Sequence, residues 1–181
     1  MKILFLDCDG VINSSNFLYA RGGLESQRLI ENGREFKDND ANLAWYKAMI
    51  DPLAIARLQR VIESTSAKIV ISSSWRKIYD LEKLIELFNS YGNLEVIDKT
   101  STGIDELGTN STEAYSLRGK EISYWLMENE KSLGPFKSYA VVDDSSDAAY
   151  GHDGKFVKTT WQDGMLDKHA DRLIEILNKN D

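Results

Sequence analysis

Short apolar runs alternate along this chain with stripes of apolar residues at helical spacing. Ile3 to Leu6, Lys68 to Ser72 and Tyr139 to Val142 have uninterrupted apolar interiors and predict strands buried on both faces. Leu94 to Ile97 reads as a further short strand, and Lys155 to Lys158 as a fifth. Between them lie helices. Asp51-Pro52 places an N-cap acid before a proline at the first helical position, and Leu53, Ile55, Ala56, Leu58, Val61 and Ile62 follow as a stripe ending near Thr65-Ser66. Leu81, Leu84, Ile85, Leu87 and Phe88 mark a second helix, closed by Gly92. Arg118 to Glu130 predicts a third, with Ile122, Trp125, Leu126 and Met127 inward, broken by Gly134-Pro135. Leu166 to Leu177 is the closing helix. Buried strands alternating with amphipathic helices predict an α/β domain: a Rossmann-like three-layer sandwich with a mainly parallel central sheet.

Two stretches fall outside that alternation. Residues 14–50 are broken by Ser14, Ser15, Asn16 and several glycines, yet carry Leu43, Trp45, Tyr46 and Met49. The segment is too long for a plain loop and predicts a flap, or small cap, inserted after the first strand of one domain spanning 1–181. Residues 98–117 are rich in Ser, Thr, Gly and Asn and read as a polar, substrate-facing loop.

Composition narrows the function. The chain has 181 residues, 42% hydrophobic and 28% charged, with a net charge of −7. That balance is unlike a protein that grips nucleic-acid backbone through clustered cations. One cysteine precludes an internal disulfide and suggests a reducing compartment. With no long apolar stretch and no signal-peptide pattern, the expectation is a cytoplasmic protein without membrane association, and no stable protein partner is inferred. Two histidines are too few for a multi-histidine zinc site, so a metal would be held by oxygen, which favours Mg²⁺.

The chemistry gathers at strand ends. The first strand runs into Asp7-Cys-Asp-Gly10. In an extended chain Asp7 and Asp9 share a face while Cys8 points away as a small buried hydrophobe. Two crowded carboxylates repel, and a divalent cation is the simplest reason to keep them together. Gly10 lets the backbone turn and approach a ligand closely. The second strand ends in Ser72, followed by Ser73, Ser74, Trp75 and Arg76, and the fourth ends in Asp143 and Asp144. In a parallel sheet these tips share one edge, where open α/β sheets place their ligands.

These motifs resemble those of the haloacid dehalogenase (HAD) superfamily of phosphotransferases. Asp7 to Gly10 matches its first motif, Ile69 to Ser72 its second and Val141 to Asp144 its fourth; the third, a Lys or Arg before the fourth strand, is the weakest match. Phe5-Leu-Asp-Cys-Asp-Gly-Val-Ile-Asn13, Ser72-Ser-Ser-Trp-Arg76 and Arg118-Gly-Lys-Glu-Ile-Ser-Tyr-Trp-Leu126 look more particularly like the HAD domains of RNA-repair proteins, relatives of the phosphatase half of polynucleotide kinase-phosphatases. The resemblance spans residues 3–166 and implies roles. Asp7 would be the nucleophile, forming an aspartyl-phosphate, and Asp9 the general acid and base. Mg²⁺ would be bound by the Asp7 carboxylate, the Asp9 backbone carbonyl and Asp143 or Asp144. Ser72 would donate to the phosphoryl group, Arg118 or Lys120 would neutralise its charge, and Arg76, with Ser73 and Gly10, would contact the substrate. The substrate would be a phosphorylated one, either a small phosphomonoester or a polynucleotide end such as a 3′-phosphate.

Plainer readings stand beside these. Serines 72–74 can simply cap the next helix, Asp143-Asp144 can cap a turn, and Arg118 and Lys120 can lie on a solvated helix face. Arg34 and Arg76 can read substrate phosphate or be surface salt-bridge partners. Trp75 and Trp125 read as core residues, and His152 and His169 as surface residues. The competing function is a non-catalytic, receiver-like regulatory domain phosphorylated on aspartate, for which the third strand supplies Asp98 and Lys99.

Overall fold

The structure is a computed structural model, and it describes residues 1–22, 47–103 and 117–179. Five parallel strands form one sheet in the order β3-β2-β1-β4-β5, with β1 Lys2–Leu6, β2 Lys68–Ile71, β3 Val96–Lys99, β4 Ser138–Asp143 and β5 Phe156–Lys158. Helices α1 Pro52–Thr65, α2 Leu81–Asn89, α3 Arg118–Leu133 and α4 Asp167–Asn178 cover it. The predicted α/β sandwich with a parallel sheet is therefore what forms, and β1 lies at its centre.

Strand alternation divides the core. Leu4, Leu6, Ile69, Ile71, Ala140 and Val142 face one side, where they pack with buried residues of α1, α2 and α4. Ile3, Phe5, Val70 and Val141 face the other and meet Ile122 and Trp125 of α3. The Phe5 and Trp125 rings contact edge to face, with centroids 5.4 Å apart. A strand covered on both faces has no polar alternation to offer, which is why its first exposed chemistry comes at its tip.

Helix α1 starts at its predicted cap, and α2 has a cap beyond those predicted. Asp51 accepts a hydrogen bond from the Leu53 N–H at 2.8 Å, with Pro52 just inside the helix. Asp80 accepts from the Lys83 N–H at 2.9 Å. Three elements depart from expectation. β3 begins two residues late, because the Leu94 N–H turns back to the Gly92 carbonyl and the ladder instead takes in Asp98 and Lys99. Helix α3 runs on to Leu133, and Met127 is 50% exposed, off the stripe set by Ile122 and Trp125. His152, expected at the surface, is only 2% exposed and lies between α3 and β4.

Most of the proposed flap (14–50) lies outside the described residues. Of its described parts, Ser14 caps a helical turn at Ser15–Phe17, accepting from the Phe17 N–H at 3.2 Å, and a π-helical turn follows at Leu18–Gly22. Arg34 and most of the polar loop after β3 also lie outside the described residues.

Candidate active site

The site starts where the central ladder runs out. The Asp7 N–H still bonds to the Val142 carbonyl, at 3.1 Å, so the residue is fixed as if it were in β1. The residue is 3% exposed. The chain then turns sharply, with Val11 and Ile12 N–H groups both reaching the Cys8 carbonyl. Cys8 itself is fully buried among apolar residues, as its alternation predicts. Gly10 takes a φ of +75°, and a Cβ there would lie 2.5 Å from the Asp144 carboxyl carbon. The missing side chain is thus what admits Asp144 to the rim. Asp143 closes β4, fully buried, and accepts from the Ser145 N–H at 2.7 Å. Carboxylate oxygens of Asp7, Asp143 and Asp144 lie within 4.8 Å of one another.

Arg118 faces this cluster. Arg118 Nη1 lies 2.9 Å from Asp7 Oδ1 and 2.5 Å from Asp143 Oδ2. Arg118 opens α3, and its backbone N–H donates to Asp147 Oδ2 at 3.2 Å. The next residue, Gly119, packs so tightly that a Cβ would collide with the Tyr150 carbonyl. The Gly119 carbonyl accepts from His152 Nε2 at 2.9 Å, while His152 Nδ1 receives the Tyr139 hydroxyl at 3.2 Å. These contacts draw the start of α3 onto the loop after β4 and aim Arg118 at the acids. Lys120 goes elsewhere: its ammonium lies over the Tyr150 ring, 5.9 Å from the centroid.

The second strand brings its serines to the same rim. The Ser72 N–H bonds to the Leu6 carbonyl at 2.9 Å, placing Ser72 beside the tip of β1. Its hydroxyl is buried and lacks a hydrogen-bond partner among the described residues. Ser73 caps the 3-10 turn Ser74–Lys77, and its hydroxyl lies close enough to Asp7 to oppose in small part the rise of that carboxyl. Arg76 is turned inward. Its guanidinium donates to the Ser72 and Ser73 carbonyls and pairs with buried Glu121, whose other oxygen accepts from the Gly103 N–H at 3.1 Å. From there Arg76 braces the serine turn and joins it to α3, a different task from clamping a phosphate. The Asp9 carboxylate accepts from Asn13 Nδ2 at 2.9 Å, Trp75 Nε1 at 3.0 Å and Ser74 Oγ at 3.3 Å, and it lies near enough to Asp144 to raise that carboxyl further.

Burial and like charge dominate the electrostatics. Asp7 is pushed up to about 7, first by desolvation and then by Asp143, although Arg118 opposes both. Burial also raises Asp143 and Asp144 against the pull of the same arginine. Burial alone would lower Arg118, but Asp7 and Asp143 outweigh it and hold the guanidinium above its ordinary value. An ion pair usually draws a carboxyl down; here burial of Asp7 and Asp143, and partial burial of Asp144, outweighs the pull of Arg118. The carboxylates of Asp7, Asp143 and Asp144 form an all-oxygen donor set that could hold a hard divalent cation such as Mg²⁺.

A family model for the HAD domain in Swiss Army Knife RNA repair proteins matches residues 3–170, and the chain belongs to this family within the HAD superfamily. Membership supports a phosphatase-type function in general terms. Searches of curated proteins and of solved structures returned no match. No helix among the described residues is long and apolar enough to cross a membrane.

The receiver-like alternative fares poorly. In the sheet order β2 separates β3 from β1, so Asp98 does not adjoin Asp7, and its carboxylate accepts from Trp125 Nε1 at 2.6 Å.

Proposed function

We propose that this domain is a Mg²⁺-dependent phosphomonoester hydrolase that works through an aspartyl-phosphate on Asp7. The observation that carries the reading is the crowding of Asp7, Asp143 and Asp144 against Arg118 at the strand-tip rim. An Asp7 oxygen attacks phosphorus, the Asp7 O–P bond forms and the ester P–O bond breaks. The electron pair of the broken bond leaves on the ester oxygen, which takes a proton from Asp9. Asp9 then removes a proton from water, whose oxygen bonds to phosphorus as the Asp7 O–P bond breaks and phosphate departs.

Ser72 supports this reading: a buried hydroxyl without a partner suits a donor whose acceptor arrives with the substrate. Arg118 offsets charge on the phosphoryl oxygens and on the acids that face them. Arg118 rather than Lys120 is the phosphate-facing cation in this reading, because the Lys120 ammonium lies over the Tyr150 ring. Asp7 and Asp143 or Asp144, with the Asp9 backbone carbonyl, would hold Mg²⁺, which when bound supplies Lewis-acid charge against the anionic substrate. Gly10 and Ser73 shape the mouth that the phosphate enters.

For substrate we take the phosphorylated end of a polynucleotide, a 3′-phosphate in particular, because the matching family is described from RNA repair proteins. The single buried Cys8 suits a cytoplasmic setting. The test is phosphate release with Mg²⁺ from 3′- and 5′-phosphorylated oligoribonucleotides and from small phosphomonoesters. Release should be fastest from the 3′-phosphate, stop when the metal is chelated, and fall at least about 10³-fold in Asp7→Asn. Robust turnover by that variant would contradict the assigned nucleophile, and a preference for small esters would remove the polynucleotide.

A further inference from the structure

Asp9 is held far more firmly than an acid at a strand tip needs to be. Asn13 Nδ2 grips Oδ1, while Trp75 Nε1 and Ser74 Oγ both grip Oδ2. Asn13 and Trp75 are fixed in their turn. Asn13 is fully buried, and its own Oδ1 accepts from the Gly10 N–H at 2.9 Å. Trp75 is buried in the larger apolar cluster, and its backbone N–H bonds to Ser73 Oγ at 3.3 Å.

We infer that Trp75 and Asn13, assisted by Ser74, are positioning residues that hold the Asp9 carboxylate in the orientation from which it protonates the leaving oxygen. The inference rests on the phosphatase reading above. A carboxylate offers about four lone-pair sites. Among the described residues three are taken, two of them on Oδ2, which leaves a site on Oδ1. That is the oxygen left for a proton in transit. The indole is a donor only, so it orients Asp9 without competing for that proton. The donors come from two segments, the turn after β1 and the turn after β2, so the orientation is set by the same packing that brings the strand tips together.

A plainer account is that Asp9 merely satisfies a buried indole N–H. The two accounts differ in how activity depends on the leaving group. An alkoxide needs its proton in the transition state, whereas a nitrophenolate leaves without one. Misorienting Asp9 therefore harms hydrolysis of a nucleoside 3′-phosphate much more than hydrolysis of p-nitrophenyl phosphate. A packing defect lowers both together.

The experiment is kcat/KM for both esters, with Mg²⁺, in the wild type, Trp75→Phe and Ser74→Ala. Within one preparation the ratio of the two values is independent of the folded fraction. The inference expects the aryl-to-alkyl ratio to rise roughly tenfold or more in Trp75→Phe and roughly two- to threefold in Ser74→Ala. Should Trp75→Phe fail to fold, Ser74→Ala decides, since residue 74 is exposed. Ratios within twofold of the wild type would overturn the inference and leave the phosphatase reading standing. Hydrolysis of neither ester by the wild type would end that reading and the inference with it.

Discussion

The tip of β3 and the tips of β1 and β4 carry the same kinds of residue and treat them in opposite ways. At β3, Asp98 accepts from the Trp125 indole and from the Lys99 N–H, and Lys99 donates to the Arg76 and Tyr79 carbonyls at 3.0 and 2.7 Å. Each charge there is met by neutral partners. At β1 and β4 three acids crowd one arginine in a buried recess, and all three carboxyl groups are pushed upward. Satisfied charges hold a fold together, whereas crowded like charges with perturbed pKa values at a rim mark a candidate functional site.

That contrast can be broken by activity. Asp143→Asn should lower kcat/KM by about 10²- to 10³-fold. Asp98→Ala should cost about 1–3 kcal/mol of stability, because Trp125 Nε1 loses its acceptor, while turnover stays within about threefold of the wild type. Similar activity losses in both variants, measured side by side, would erase the distinction.

A second variant tests the structural side of the same rim. Glu121→Ala leaves the inward-turned Arg76 buried without its counter-charge and should cost about 3–5 kcal/mol in denaturant unfolding. A loss below about 1 kcal/mol would mean that the pair is not what joins the serine turn to α3.

Metal binding sharpens the comparison next. Mg²⁺ at 100 times its dissociation constant should stabilise the protein by about 2.7 kcal/mol. For a chain of this size that raises Tm by roughly 5–10 °C. The shift should largely vanish in Asp143→Asn and persist in Asp98→Ala, as read by scanning calorimetry.

The smallest effect concerns His152. Burial lowers its pKa, and the Gly119 carbonyl opposes the shift only in part. Because the folded protein disfavours the charged imidazole, the stability from this group is complete above its ordinary pKa of about 6.5. It is lost as pH falls from there toward the lowered value. Tm should therefore fall less steeply between pH 7 and pH 5 in His152→Gln than in the wild type, and parallel slopes would show that His152 does not couple to folding.

Much of this was legible in the chain because it is local. The apolar run ending at Leu6 specified a buried strand, and the Asp51-Pro52 cap specified where a helix starts. A parallel sheet then obliges the tips of β1, β2 and β4 to share an edge, so the convergence of Asp7, Ser72 and Asp143 needed no coordinates. What stayed hidden depends on partners far away in sequence. Arg76 reads as a substrate clamp until Glu121 appears beside it. His152 reads as a surface residue until Tyr139 and Gly119 close over it. Trp75 reads as core, and it is, but its indole N–H has a destination that no periodicity encodes. The choice between Arg118 and Lys120 turns on the docking of α3 against the loop at Tyr150, which nothing in the helical stripe specifies.

Gly10 narrows what evolution can do with this domain. The Asp144 carboxyl occupies the space that any substituent at residue 10 would need. Drift cannot adjust the pocket through that position without first displacing an acid from it. New specificities are therefore easier to reach by remodelling the outlying loops than by editing the turn, and an alanine at this place in a descendant chain would be a sign that the ancestral chemistry had been given up.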